Sequence, residues 1–377
     1  MSPTASPAAL LGSVGEDAHV DDQLYLRARL VELCFNRAFD AEASGVWHAP
    51  STLLVLGGRR QGPSLSLATH WRAMVAARAR EDRTLRIHLL GSGDETVELS
   101  LDDDSADVDA PTEAVSIATV LRTLARRGHL GGGIDMLRAT DVPIAVGLGV
   151  EGSIRAATAR AVTGLSGARF GRGAAHAEQV AALDEACGRA ADHLVCVTAG
   201  EGFVALARRG AAHVDEPPQV RFDPARHGFR LMLVTLRVAP RSPAPTVWEP
   251  AEAEDTLAEE GFRLLAPLGR DVPAGRLAQR IGALLDASHA AGLSGREPVA
   301  TDRIVAAARA AGALGARALS SRAILAAVAT TDLRSVRHTI LAACAEQSET
   351  SLGARFLTTA GLAGAGQGAG AIEEIER

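Results

Sequence analysis

Residues 143–153 read Pro-Ile-Ala-Val-Gly-Leu-Gly-Val-Glu-Gly-Ser, and the helix-like run Ile154 to Leu165 follows directly. Gly147, Gly149 and Gly152 have the spacing of a loop that wraps phosphates, and Ser153 supplies a hydroxyl. Glu151 is the discordant member. An acid suits the first turn of a helix, because the free N–H groups and the dipole favour negative charge there. The same acid competes with a phosphate for those donors.

Working outward, the 377-residue chain is long enough for two domains. Its 47% hydrophobic and 22% charged residues are those of a globular protein. All 39 basic residues are Arg, which a GC-rich coding bias explains, yet the lack of Lys excludes chemistry. A Walker-type loop needs its Lys, and so do Schiff-base and lysine general-base mechanisms. A net charge of -6 gives no whole-molecule attraction to nucleic acid, so direct nucleic-acid binding is not expected. Cys34, Cys187, Cys196 and Cys344 form no C-x-x-C pair and read as buried thiols of a reducing compartment. No apolar run is long enough to span a membrane, and Met1 to Ala18 lacks the pattern of a secretory signal, which predicts a cytoplasmic protein.

Periodicity predicts helices from about Asp21, over Glu113–Arg127, Ala177–Ala190, Leu277–His289 and Thr301–Ala311. Strand-like runs are Ser51–Leu56, Leu85–Leu90, Val97–Leu101, Phe203–Ala207 and Leu231–Val238. Leu194–Thr198 is expected to pair with Phe203–Ala207, and Ala323–Ala329 fits a buried strand or a helix. Asp102-Asp103-Asp104 reads as a solvated turn. Elements interleave without a strict βαβ beat, so an α+β architecture fits. The expected division is a loose N-terminus (1–20), a first domain (21–200), a second (201–358) and a loose tail (359–377).

Three ordered segments together resemble the galactokinase branch of the GHMP small-molecule kinases. Gly45-Val46-Trp47-His48-Ala49-Pro50 with Gly57-Gly58 is similar to the approach to the first motif, Gly-Glu-His-Thr-Asp-Tyr. Asp141-Val142-Pro143 through Ser153 is similar to the second, Pro-x-Gly-x-Gly-Leu-Ser-Ser-Ser. Leu284 to His289 and Ala311 to Arg317 resemble the approach to the third, Thr-Gly-Gly-Gly-Phe-Gly-Gly. The resemblance covers roughly residues 35–345 and implies a mixed-sheet N-terminal domain with a ferredoxin-like C-terminal domain.

The residues that carry the family's chemistry are largely replaced. Its catalytic Arg falls on Thr52, and its sugar-contacting Glu, His and Asp fall on Gly58, Arg59 and Gln61. Arg59 and Arg60 offer donors and positive charge where the family offers acceptors. The three motif serines fall on Gly149, Val150 and Glu151, leaving Glu151 as a possible Mg²⁺ ligand or an ordinary first-turn acid. The triglycine turn falls on Ser320 to Leu325, where side chains fill the space that glycine leaves to a ligand. The family's catalytic Asp falls on Asp192 when the segment is registered on Gly202, and on Ala191 when registered on Cys187-Gly188. Ser288-His289 matches a pair that is mainly structural in the family.

Three functions stay open at this stage. One is a degenerate kinase that binds a small sugar-like or anionic ligand, with a protein partner possible. The second is an active ATP- and Mg²⁺-dependent kinase of a sugar or cyclitol, with Asp192 as base. The third is an enzyme repurposed for an anionic substrate held by Arg59, Arg60 and Gln61.

Overall fold

The computed structural model describes residues 22–57, 62–91, 95–104, 107–142, 148–166, 172–187, 196, 203–207, 218–238, 252–266, 274–293, 299–346 and 351–358. Its organising element is β2 (Ser64–Ala79), a strand of 16 residues. β1 (Gly45–Gly57) runs antiparallel along it from end to end. On the other edge two strands share β2: β5 (Ile134–Thr140) pairs with Ala73–Ala79 and β6 (Phe203–Ala207) with Ser64–Leu67. The mixed sheet is completed by β3 (Thr84–Leu89), parallel to β5, by β4 (Glu95–Ser100) and by β7 (Gln219–Arg221).

β1 begins six residues before the run legible in the sequence, and β2 includes a segment with no legible period. Both strands are covered on two faces, so no alternation of polar and apolar residues marks them. One face carries α2 (Thr112–Arg126), α3 (Val150–Leu165) and α4 (Arg172–Cys187). Ala156, Ala157, Ala159 and Ala161 of α3 are fully buried, and such small residues let the helix sit close on the sheet. Trp47 fills the contact at Gly164, where an added Cβ would collide with the indole ring. The opposite face is shared. α1 (Asp22–Phe39) covers Val46, Met74, Ala76 and Leu137 with Ala28, Val31, Phe35 and Phe39, and the second layer system covers the rest.

That second system is a four-stranded antiparallel sheet in the order β11-β8-β10-β9. Its chain order is β8 (Phe229–Val238), α5 (Ala253–Leu265), α6 (Ala274–Leu293), α7 (Ala300–Ala310), β9 (Gly315–Ser320), β10 (Ala323–Ala329), α8 (Leu333–Glu346) and β11 (Ser351–Thr358). First strand beside last, with the third between first and second, is the ferredoxin-like arrangement. β10 is central and covered on both faces, which is why its apolar run fitted strand and helix equally. Met232, Val234, Ile324, Ala326 and Val328 pack under α7 and α8. Leu231, Leu233, Leu325 and Leu357 form one core with Leu53, Val55, Leu65 and Leu67 of the first sheet and with α5 and α6. Apolar burial therefore joins the two sheets. β6 and β7 lie past residue 200 yet belong to the first sheet, so sheet membership changes between Arg221 and Phe229.

Candidate ligand-binding cleft

Among the described residues, the two strands sharing the far edge of β2 pair with Ala73–Ala79 and Ser64–Leu67 and leave Ala68–Arg72 between them with no strand partner on that side. The register with β1 breaks at the same place: Pro50 pairs with Arg72 and Thr52 with Ala68, so Thr69, His70 and Trp71 face the single residue Ser51. This bulge shifts the strand's phase. Ala68 and Ala73 both face the α2–α4 layer although they are five residues apart. Ser51 Oγ and Thr69 Oγ1 share a buried hydrogen bond of 2.6 Å across it.

The chain leaving β5 starts at this gap. Asp141 N donates to Arg72 O (3.2 Å), Thr140 Oγ1 donates to the same carbonyl (3.2 Å), and Arg72 N donates to Asp141 Oδ1 (2.5 Å). Asp141 is also paired with Arg27. The glycine segment follows, and the chain is described again from Leu148 into α3. Gly149 is the residue before the helix and adopts φ 55°, ψ 34°, the left-handed region that favours glycine. A Cβ there would lie 2.5 Å from Thr52 Oγ1. The position that the resemblance matches to a catalytic Arg and the start of the helix that follows the glycine loop are thus side by side. The contact is a hydroxyl against bare backbone, with Thr52 only 7% exposed.

Among the described residues no side chain caps the start of α3. Glu151 sits in its first turn, 66% exposed, and pairs with Arg155 one turn on (3.4 Å). Gly152 and Ser153 are buried. Ser153 Oγ donates to Val150 O at 2.8 Å, so the loop's hydroxyl is spent inside the helix. Toward Mg²⁺ the described part of the loop offers one exposed carboxylate already paired with a guanidinium. Among the described residues no group of three His, Cys, Asp or Glu side chains is placed to hold a metal ion. The Ser320–Leu325 segment is a tight hairpin: Ser321 and Arg322 turn, Arg322 N donates to Ser320 Oγ (3.1 Å), and Ala323 pairs with Ser320. Ala323, Ile324 and Leu325 are at most 1% exposed and fill both faces of the sheet.

Gly147, Arg59, Arg60, Gln61 and Asp192 lie outside the described residues, as do Gly58 and His193. The exit of β1 that leads to Arg59 is described. Gly57 has φ 74°, and its N–H donates to Glu254 Oε2 at 2.9 Å. Glu254, in the first turn of α5, also accepts from Ser288 Oγ and from Arg317 Nη1 (3.2 Å), and Arg317 Nη1 reaches Val55 O (3.2 Å). Glu254 and Arg317 are 2% and 5% exposed. This buried ion pair clamps the end of β1 to α5, α6 and β9. The neighbouring His289 accepts from Ala318 N through Nδ1 (3.3 Å) with Nε2 3.8 Å from Asp302, which ties α6 to β9 and α7. Both contacts join secondary-structure elements of the second sheet's layer.

Sequence reasoning missed Glu254, Arg317 and the Thr69–Trp71 bulge. Glu254 and Arg317 stand 63 positions apart in the chain, and no local pattern pairs them. His48 was read only as part of a motif approach. It lies beside Arg72 (Nη1 to Nδ1, 3.3 Å) and its carbonyl accepts from Arg160. Burial first, then the charges of Arg72 and Arg160, hold its pKa well below the usual histidine range.

No protein-family model and no curated protein matches the sequence. Solved structures do. The galactokinase of Lactococcus lactis complexed with galactose superimposes with a TM-score of 0.64 at 15% identity, covering 88% of this chain and 97% of that one. The mevalonate kinase of Methanococcus jannaschii gives 0.53 at 12% identity, over 83% and 96% of the two chains. The homoserine kinase of Cytophaga hutchinsonii gives 0.52 at 17% identity, over 84% and 94%.

This chain has the GHMP-kinase fold.

At these identities the likeness is one of fold, and the activity of the GHMP-fold chain has to be argued from its site. No helix among the described residues is long and apolar enough to cross a membrane.

Proposed function

We propose that this protein is a galactokinase-like GHMP-fold chain that binds a small sugar-like or anionic ligand and does not transfer phosphate. Its setting is the cytoplasm, and the ligand-bound form is what a protein partner would read. The observation that carries this is the junction of Thr52 with Gly149. Phosphoryl transfer relies almost wholly on positioning and on fixed positive charge around the phosphates. Where the resemblance assigns an Arg, a buried threonine hydroxyl packs against the start of α3. The only charge described in the first turn of that helix is the carboxylate of Glu151, and Ser153 is bonded within the helix. The hairpin at Ser321-Arg322 closes the third motif's space with Ile324 and Leu325. If each lost contact is worth ~10²-fold in rate, as single electrostatic contacts are, the combined loss leaves little activity.

A panel of neutral hexoses, cyclitols, sugar phosphates and nucleotides, screened by shift in melting temperature and followed by calorimetry, tests the proposal. A sugar or sugar phosphate that binds, together with no phosphorylated product when Mg-ATP is added, is the expected result. Turnover of Mg-ATP that depends on the sugar sinks it.

The divergent active kinase is the second reading. It is favoured by one observation, the start of α3 at a left-handed glycine that carries no capping side chain, since the first N–H groups of a helix have no partner within it. That reading makes Asp192 the base and Glu151 the Mg²⁺ ligand. Asp192→Asn would then abolish transfer while leaving sugar affinity within a few-fold.

A further inference from the structure

The bulge in β2 brings two aromatic rings together in a chain that has few, aromatic residues making up 3% of it. His70 and Trp71 are consecutive, and consecutive strand residues ordinarily point to opposite faces. Here their ring centroids lie 4.7 Å apart with planes at 34°. The extra residues of the bulge turn the backbone so that both rings lie on one side. That side is known from Trp71, whose indole packs against the core shared by the two sheets, the core that also holds Val142 and Leu148 at the two ends of the glycine segment. Both rings are partly exposed rather than sealed. The pair therefore sits at the gap between β5 and β6, where Asp141 leaves the sheet, beside the approach to α3.

We infer that Trp71, backed by His70, is the ligand-facing platform of this cleft, on which the C–H face of a pyranose or cyclitol ring stacks. The inference rests on the reading that the cleft binds a sugar-like ligand, and it names the ring, rather than an anionic group, as the part recognised here. The physical basis is the aromatic quadrupole: the negative face of an indole attracts the weakly positive C–H groups on one side of a sugar ring. The same contact removes apolar area of both from water. Small-ligand sites combine such a flat apolar wall with a few placed polar groups. A bulge is a recurrent way to re-aim side chains at such a site. The Ser51–Thr69 hydrogen bond fixes the base of this one.

The test is calorimetric affinity for the neutral sugar or cyclitol that gives the largest response in the unaltered protein, measured in Trp71→Ala, Trp71→Leu, Trp71→Phe and His70→Ala. Leucine keeps the apolar packing against the core without a π face, so Trp71→Leu separates stacking from folding. The expected result is about a tenfold weakening in Trp71→Ala and Trp71→Leu, a change of no more than roughly threefold in Trp71→Phe, and a smaller loss in His70→Ala, all with cooperative melting. Ligand-induced change in tryptophan emission should vanish in Trp71→Phe although Trp47 and Trp248 remain. Unaltered affinity in Trp71→Leu overturns the platform and leaves the sugar-binding reading standing. Binding of inorganic phosphate or sugar phosphates with no neutral ring bound overturns the platform and keeps the anionic version of that reading. No binding by any member of the panel overturns both.

Discussion

The clamp on β1 predicts a large single-residue effect. In Glu254→Ala the Arg317 guanidinium stays buried against Val55 O, Gly57 N–H and Ser288 Oγ lose their acceptor, and Arg317 Nε already has none. Burial alone pulls the Arg317 pKa below the ordinary arginine value, and Glu254 is what opposes it. Removing one member of a buried ion pair costs about 3–5 kcal/mol, because the remaining charge is uncompensated. Against a typical total of about 5–15 kcal/mol, that is a large fraction. Replacing both members with Met removes the uncompensated charge and keeps the volume, while Gly57 N–H and Ser288 Oγ still lose that acceptor, so Glu254→Met/Arg317→Met should recover part, not all, of the loss. Urea unfolding followed by far-ultraviolet circular dichroism measures both. A loss below about 1 kcal/mol in Glu254→Ala, or a double variant no better than the single one, would refute the assignment of Glu254 and Arg317 as mutually dependent charges.

Three further outcomes follow from the same geometry. Gly149→Ala should lower stability by about 2–4 kcal/mol, from the left-handed φ of 55° and a Cβ 2.5 Å from Thr52 Oγ1; thermal melting should show Thr52→Ala restoring the steric part in the double variant and leaving the backbone part. His48 is held neutral in the fold, so the unfolded chain binds its proton first as pH falls through the usual histidine range. Its contribution is then complete above that range and is lost below it, with a slope of at most about 1.4 kcal/mol per pH unit for one proton. His227, also lowered by burial, acts in the same sense, so the check is that His48→Asn flattens the denaturation midpoint against pH while His227→Asn flattens it less. Finally, Thr52→Arg alone should not produce phosphoryl transfer in a coupled assay, since Ser153 and the Ser321-Arg322 hairpin still withhold the other contacts.

Several helices were legible because each shows one apolar face to a core, whereas Ala253–Leu265 and Leu333–Glu346 were not read from the sequence. Thr112–Arg126 and Ala300–Ala310 begin and end within about one residue of their periodic runs. β1 and β2 were not, because both of their faces are covered and small residues carry no period. The pairing expected for Phe203–Ala207 was with the segment before it, much of which lies outside the described residues; the strand pairs with β2 and β7. At the cleft, the glycine segment announced a helix start, and Gly149 stands there in the conformation glycine permits. The phase shift at Thr69–Trp71 was invisible, because a bulge is a property of two paired strands and the pairing is tertiary. Glu254 was hidden for the same reason: its partners Gly57, Ser288 and Arg317 come from three distant segments, and an acid near a helix start carries no mark of burial.

The most direct measurement is calorimetric titration of the purified chain with Mg-ATP, alone and with a saturating sugar ligand. No saturable binding is expected across the roughly 1 μM–1 mM range in which enzymes hold their substrates. Saturable binding in that range, lost in Glu151→Arg and accompanied by transfer of phosphate to the sugar, would contradict that expectation.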